Sequence, residues 1–161
     1  MQELPSKHEL KAELEQWLRS ELETAEEAQR RTVEGATHEE AKPENDKDTR
    51  ALEQTYLARG QAVRVKELRD GVAHVRDLAV PALPGDAAIV AGALVAVHLD
   101  DEPAFMFVSP YGGGTRLAGG RVLVVTPGSP LGRALAGKRA GDSCEVVVQG
   151  RTREVSILGV T

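Results

Sequence analysis

Two apolar stripes in the first half of this 161-residue chain constrain its fold more than any other feature. Leu10, Leu14, Trp17, Leu18, Leu22, Ala25 and Ala28 follow at steps of three and four after Ser6, a good N-cap with Glu9 three residues on. A second stripe runs Thr55, Ala58, Ala62, Val65, Leu68, Val72 and Val75, with Leu52 and Tyr56 at its start. Facing residues of an antiparallel hairpin should have position numbers that add to a constant. Leu10 with Val75, Leu14 with Val72, Leu18 with Leu68, Leu22 with Val65, Ala25 with Ala62, Ala28 with Ala58 and Val33 with Leu52 all add to between 85 and 87. The midpoint falls at Pro43, among Gly35, Thr37, Asn45 and Asp46, which are turn and capping residues. The stripes predict an antiparallel coiled-coil helical hairpin of two helices, each of about 30 residues and so about 45 Å long.

Beyond Leu78 the grammar changes. Residues 1–80 hold 13 Lys or Arg against 18 Asp or Glu, the whole formal charge of −5, whereas the rest holds 7 of each and 13 of the 16 glycines. The joint is Ala79-Val80-Pro81-Ala82-Leu83-Pro84-Gly85, which cannot continue a helix. This sets domains at 1–80 and 81–161. The second reads as strands over Ala88–Leu99, Phe105–Val108, Val122–Val125, Glu145–Val148 and Val155–Val160, separated by turn clusters. Ser129 to Gly137 reads as a capped short helix with Pro130 at its first position. The fold class expected is α+β, a helical hairpin followed by a small antiparallel β-sheet domain with one short helix.

Composition excludes several functions. An acidic chain with 3% aromatic residues lacks the basic face and stacking platforms of an autonomous nucleic-acid binder. Its longest nearly apolar run, Ala87 to Val97, is half of what a bilayer crossing needs, and no signal sequence opens the chain, so a cytoplasmic protein without a membrane partner is expected. Lone Cys144, flanked by strand residues, reads as a packed thiol. Gly132 to Lys138 matches half of a phosphate loop, but Arg139 stands where a Mg²⁺-binding hydroxyl is required. His8, His38, His74 and His98 show no ligand spacing, and Gly112-Gly113-Gly114 precedes no helix pattern.

Acidic side chains collect at the turn of the hairpin: Glu34, Glu39, Glu40, Glu44, Asp46 and Asp48 against Lys42 and Lys47, six minus two, or −4 in fifteen residues. Read alone they are a solvated turn whose acids favour the start of the second helix. Carboxylates on a tip are also incomplete ligands for Mg²⁺, which is held by one or two carboxylates plus waters or substrate phosphate, so they could complete a site in another protein.

The whole chain resembles the bacterial Gre transcript cleavage factors. The resemblance is carried by Ser129-Pro130-Leu131-Gly132-Arg133-Ala134-Leu135-Ala136-Gly137-Lys138 with Gly141-Asp142, similar to the signature of that family's FKBP-like C-terminal domain. Glu44-Asn45 at the tip, with Ala51, Glu53-Gln54 and Gly60, carries the rest. The resemblance implies a factor that is not itself an enzyme. It would bind RNA polymerase and pass the hairpin through the secondary channel. There it would lend carboxylates to the second Mg²⁺, so that the polymerase hydrolyses the 3′ end of backtracked RNA. Glu44 matches the family's tip glutamate, and Glu40 and Asp46 are the neighbouring carboxylates; Glu44 and Glu40 would be the metal-directed pair. The family's tip aspartate falls here on Ala41, and Pro43 lies within the motif. Two other readings stay open: a channel-occupying regulator without cleavage, and a peptidyl-prolyl isomerase or chaperone built on the C-terminal domain.

Overall fold

The structure, a computed structural model, describes residues 3–39, the last four as backbone only, and 49–161. Helix α1 spans Lys7–Glu39 and α2 spans Thr49–Arg76. Six strands follow, β1 (Leu94–Leu99), β2 (Glu102–Val108), β3 (Arg116–Leu117), β4 (Val122–Val125), β5 (Ser143–Val148) and β6 (Arg151–Val160), with a short helix α3 (Pro130–Leu135) between β4 and β5. By packing, the chain divides into one unit of Met1–Gln16 with Ala73–Thr161 and another of Trp17–Val72.

The start of α1 is a capping box. The Glu9 amide donates to Ser6 Oγ at 3.2 Å, and the Ser6 amide donates back to Glu9 Oε2 at 2.7 Å. That bonding, from the Ser6 hydroxyl first and its amide second, holds the Glu9 carboxyl below the usual carboxylate range. In the Trp17–Val72 unit the stripe residues Leu18, Val65, Leu68 and Val72 are buried. Arg64 reaches Glu21 at 3.8 Å, Arg69 reaches Glu26 at 2.9 Å, and the Gln61 amide donates to the Ala28 carbonyl at 3.5 Å.

The stripes do not stay buried over their full length. Val33 and Leu52, paired in the sequence reading, are 58% and 57% exposed, Tyr56 is 64% exposed, and Ala28, Ala58 and Ala62 are exposed as well. Alanine and threonine bury little area, and a pair of helices has a single seam to offer, so the small-residue stretch holds less than the leucine stretch.

The sheet runs β3-β4-β2-β1-β6-β5. Its pairings are antiparallel except β2 with β4, which is parallel with Phe105 opposite Val122 and Val108 opposite Val125. The strand expected over Ala88–Leu99 begins only at Leu94. Gly92 has φ +84°, and a Cβ there would stand 2.1 Å from the Ala79 carbonyl oxygen, so 88–93 is irregular backbone with a turn at 91–92 that lies against the segment after α2. The two-residue turns Asp100-Asp101 and Gln149-Gly150 have positive φ throughout, the I′ geometry that suits strand twist. Between β1 and β6 the register shifts at Ala96/Val97, whose partners are Gly159 and Ile157; the skipped residue, Leu158, is left exposed.

One sheet face carries Val95, Val97, Met106, Val108, Val125, Val146, Val155 and Ile157, covered by Leu135 of α3 and by Ile89. By alternation Phe107, Val122 and Val124 occupy the other face, and they too are buried, in the unit that holds Leu10, Leu14 and Val75.

Candidate functional site

The carboxylates singled out by sequence, Glu40, Glu44 and Asp46, lie outside the described residues, as does Ala41. What the structure describes is the stem that leads to them. α1 runs to Glu39 and α2 resumes at Thr49, so the acids sit on the connection between two helices. On the stem four acids are answered by bases: Glu27 by Arg30 and by Arg31 at 3.3 Å, Glu21 by Arg64, Glu26 by Arg69, and Asp70 by Lys66 at 2.6 Å. Exposed pairs of this kind add little stability, but they balance the stem's charge locally. Residues 40–48 hold four acids and two bases, so an excess of −2 remains on the connection. Among the described residues no three His, Cys, Asp or Glu side chains cluster as metal ligands would.

The Ser129 to Lys138 stretch forms as read. Ser129 caps α3, its Oγ accepting the Gly132 amide at 3.0 Å and donating to the Thr126 carbonyl at 2.8 Å, with Pro130 at the first helical position. Gly132 is there for space: a Cβ would fall 1.9 Å from the Thr126 oxygen. Leu135 and Phe107 are buried, whereas Leu131 and Phe105 are half-buried, which divides the four apolar residues whose orientation the sequence leaves open. The partial phosphate-loop match is helix and turn. Arg139, at the hydroxyl position, donates from its amide to Asp142 at 2.8 Å and from its guanidinium to the Asp86 carbonyl at 2.5 Å.

The glycine run is a packing platform. A Cβ on Gly112, at φ +83°, would meet Leu14 Cδ1 at 2.7 Å, and one on Gly113 would meet Thr126 Cγ2 at 2.9 Å. Next to it the Tyr111 and His74 rings lie 5.1 Å apart. Sequence reasoning misses Glu13, whose carboxylate accepts the Ala118 amide at 3.0 and 3.2 Å. Nothing in the order of residues marks one glutamate of α1 as an acceptor for a distant turn. Cys144 is half-buried at the core edge; burial pushes its thiol up and nearby Lys138 offsets that only in part, the wrong direction for a nucleophile. His8 and His74 are exposed and His98 half-buried, while the His38 side chain lies outside the description.

Similar solved structures include transcription factors of the Gre and Gfh1 kind. The crystal structure of GreA factor homolog 1 (Gfh1) of Thermus thermophilus is 17% identical, with 91% of this chain and 94% of that one covered and a TM-score of 0.40. Thermus aquaticus Gfh1 is 20% identical over 90% and 92% of the two chains, TM-score 0.40. The GreA/GreB elongation factor of Nitrosomonas europaea is 21% identical over 58% of this chain and 78% of that one, TM-score 0.38. No family model and no curated protein sequence matches the chain.

Proposed function

We propose that this chain is a Gre-type transcription factor. In this reading the sheet unit docks on RNA polymerase and the hairpin presents the acidic connection at the polymerase catalytic centre, where the 3′ end of backtracked RNA is hydrolysed. The observation that carries the reading is the charge layout of the hairpin: four stem acids paired with arginines and a lysine, and an acidic excess on the residues joining α1 to α2. The Ser129 to Lys138 motif, which forms the capped helix expected of it, supports the C-terminal half of the reading.

Glu44, with Glu40 beside it and Asp46 after it, would supply the metal-directed oxygens, and carboxylate oxygen is the hard donor that Mg²⁺ takes. When bound, the ion supplies Lewis-acid activation of water and stabilises the departing oxygen of the phosphodiester. The chain's own part is to bind, to position those carboxylates, and to repel stray nucleic acid through its negative charge. The catalytic apparatus belongs to the polymerase, so the chain would act as a factor.

Ala41 favours a second reading, in which the hairpin occupies the channel and regulates without cleavage. An isomerase is disfavoured. Such a site needs converging aromatics, but Phe107 is buried on the sheet, Tyr111 packs at a tilt against His74, and the apolar pocket beside α3 is lined by Ile89, Val108, Leu135 and other aliphatic residues.

The test is binding of the fluorescently labelled full chain to RNA polymerase. Saturable binding that Glu44→Ala leaves within about twofold is expected, a change under 0.5 kcal/mol. Absence of binding by the unmodified chain sinks the reading.

A further inference from the structure

The two edges of the sheet are unequal. β3 ends it with two residues, whereas β5 ends it with six, and a long open edge is what sheet proteins ordinarily avoid. β5 pairs with β6 in one unbroken register, from Ser143 opposite Ser156 to Val148 opposite Arg151. Both ends of that ladder give the same bonding phase. The Ile157 amide donates to the Asp142 carbonyl at 2.9 Å, and the two-residue turn Gln149-Gly150 closes on the Val148–Arg151 pair. The even-numbered residues of β5 therefore bond to β6, and the amides and carbonyls of Ser143, Glu145 and Val147 point away from the sheet. All three residues are exposed, and among the described residues no hydrogen bond occupies those outward groups.

Cys144, Val146 and Val148 turn their side chains to the core under α3, so by alternation Ser143, Glu145 and Val147 carry theirs on the opposite face. There Glu145 lies directly opposite Glu154, in the non-bonded phase that brings side chains closest. Like charges so placed repel each other. Among the described residues neither carboxylate has an ion pair, whereas Asp100, which accepts the Glu154 amide, has Arg153. Two residues along the strand Val147 is 60% exposed, with Thr152 across from it. An open edge that bears an unanswered acidic pair and a bare valine suits an extended chain with a base and an apolar residue at alternate positions.

We infer that β5 is a docking edge for an extended segment of a protein partner, which adds a strand to the six present. Its backbone bonds to the outward groups of Ser143, Glu145 and Val147. A lysine or arginine opposite Glu145 answers the Glu145–Glu154 pair, and an apolar residue two positions away covers Val147. Charge complementarity selects this occupant over a second copy of the chain. In the antiparallel register that uses all three outward residues, two copies would set Glu145 against its own counterpart and double the row of carboxylates. The inference stands apart from the polymerase reading, because its test contains no polymerase.

The probe is a fluorescein-labelled seven-residue peptide of threonine and valine with one central lysine, blocked at both ends and titrated by anisotropy into the full chain. Saturable binding is expected. Glutamate in place of the lysine, and N-methylation of the lysine amide, should each weaken binding about tenfold or more; the first removes the charge match and the second the strand pairing. Glu145→Lys should weaken binding of the lysine peptide by about the same factor. Because it replaces a like-charge pair by an opposite one, it should melt no lower than the unmodified chain, which keeps lost binding separate from misfolding. Absence of peptide binding overturns the inference, as does equal binding by Glu145→Lys or by the N-methylated peptide. Dimers in sedimentation velocity that the peptide dissociates also overturn it, since a second copy would then hold the edge.

Discussion

The sheet unit and the Trp17–Val72 hairpin treat apolar residues in opposite ways. In the sheet unit Val95, Val97, Phe107, Val122 and Val155 are completely buried. In the hairpin Val33, Leu52, Tyr56, Leu57 and Val63 are all more than half exposed. Two sheet faces offer the first unit partners on both sides, whereas two helices share one seam, and here that seam is leucine and valine at one end and alanine at the other. The comparison teaches that rigidity resides in the sheet unit. The distal hairpin draws its order from helix propensity and exposed ion pairs, each a small contribution, so it belongs to the low-stability end of the molecule.

Substitutions can break that comparison at either end. The largest effect is expected at Gly132. Gly132→Val must move the Thr126 carbonyl, which a Cβ would approach to 1.9 Å, and should cost about 3 kcal/mol in urea unfolding. Leu14→Ala, at a completely buried position packed against Gly112, should cost about 3 kcal/mol or slightly less. A loss under about 0.5 kcal/mol at either site would mean that the sheet unit is not the tightly packed region. Ser6→Ala removes half of the capping box and should cost about 1 kcal/mol. Leu57→Ala, on exposed hairpin surface, should stay within about 0.5 kcal/mol; a core-sized loss would show that the distal hairpin buries more than its exposure indicates.

The smallest expected effect concerns pH. The Arg153 guanidinium at 2.7 Å, and after it the Glu154 amide at 2.9 Å, hold the Asp100 carboxyl below its usual range. Because the folded value is the lower one, the stabilisation is present above the unfolded carboxylate range and is lost as pH falls through the folded value. Asp100→Asn should therefore lower stability slightly near neutral pH, change nothing below the folded value, and so flatten the acid limb of the stability curve. An NMR titration of the Asp100 carboxyl shows directly whether its midpoint is depressed.

What the sequence reveals of this fold depends on how local the cause is. The Ser6–Glu9 capping box, the Ser129-capped helix and four of the strands are written in residues within a few positions of each other, and all form. The late start of β1 depends on the Ala79 carbonyl meeting Gly92, a contact thirteen positions apart that no periodicity records. The parallel pairing of β2 with β4 and the two-residue strand β3 are likewise products of tertiary closure. At the candidate site, sequence supplies the acids and their place between two helices, but the cross-helix partners, Arg64 for Glu21 and Arg69 for Glu26, become visible only when the helices are paired.

The central proposal is that the acidic connection of the hairpin lends carboxylates to the catalytic centre of RNA polymerase. Its most direct test is the rate of RNA 3′-end cleavage in a stalled, backtracked elongation complex with Mg²⁺, with the full chain and with Glu44→Ala at saturating concentration. The account expects the full chain to stimulate cleavage and Glu44→Ala to abolish the stimulation while remaining bound. Stimulation that survives Glu44→Ala, or a bound chain that stimulates nothing, would contradict it, and the second result would leave the channel-occupying regulator as the function.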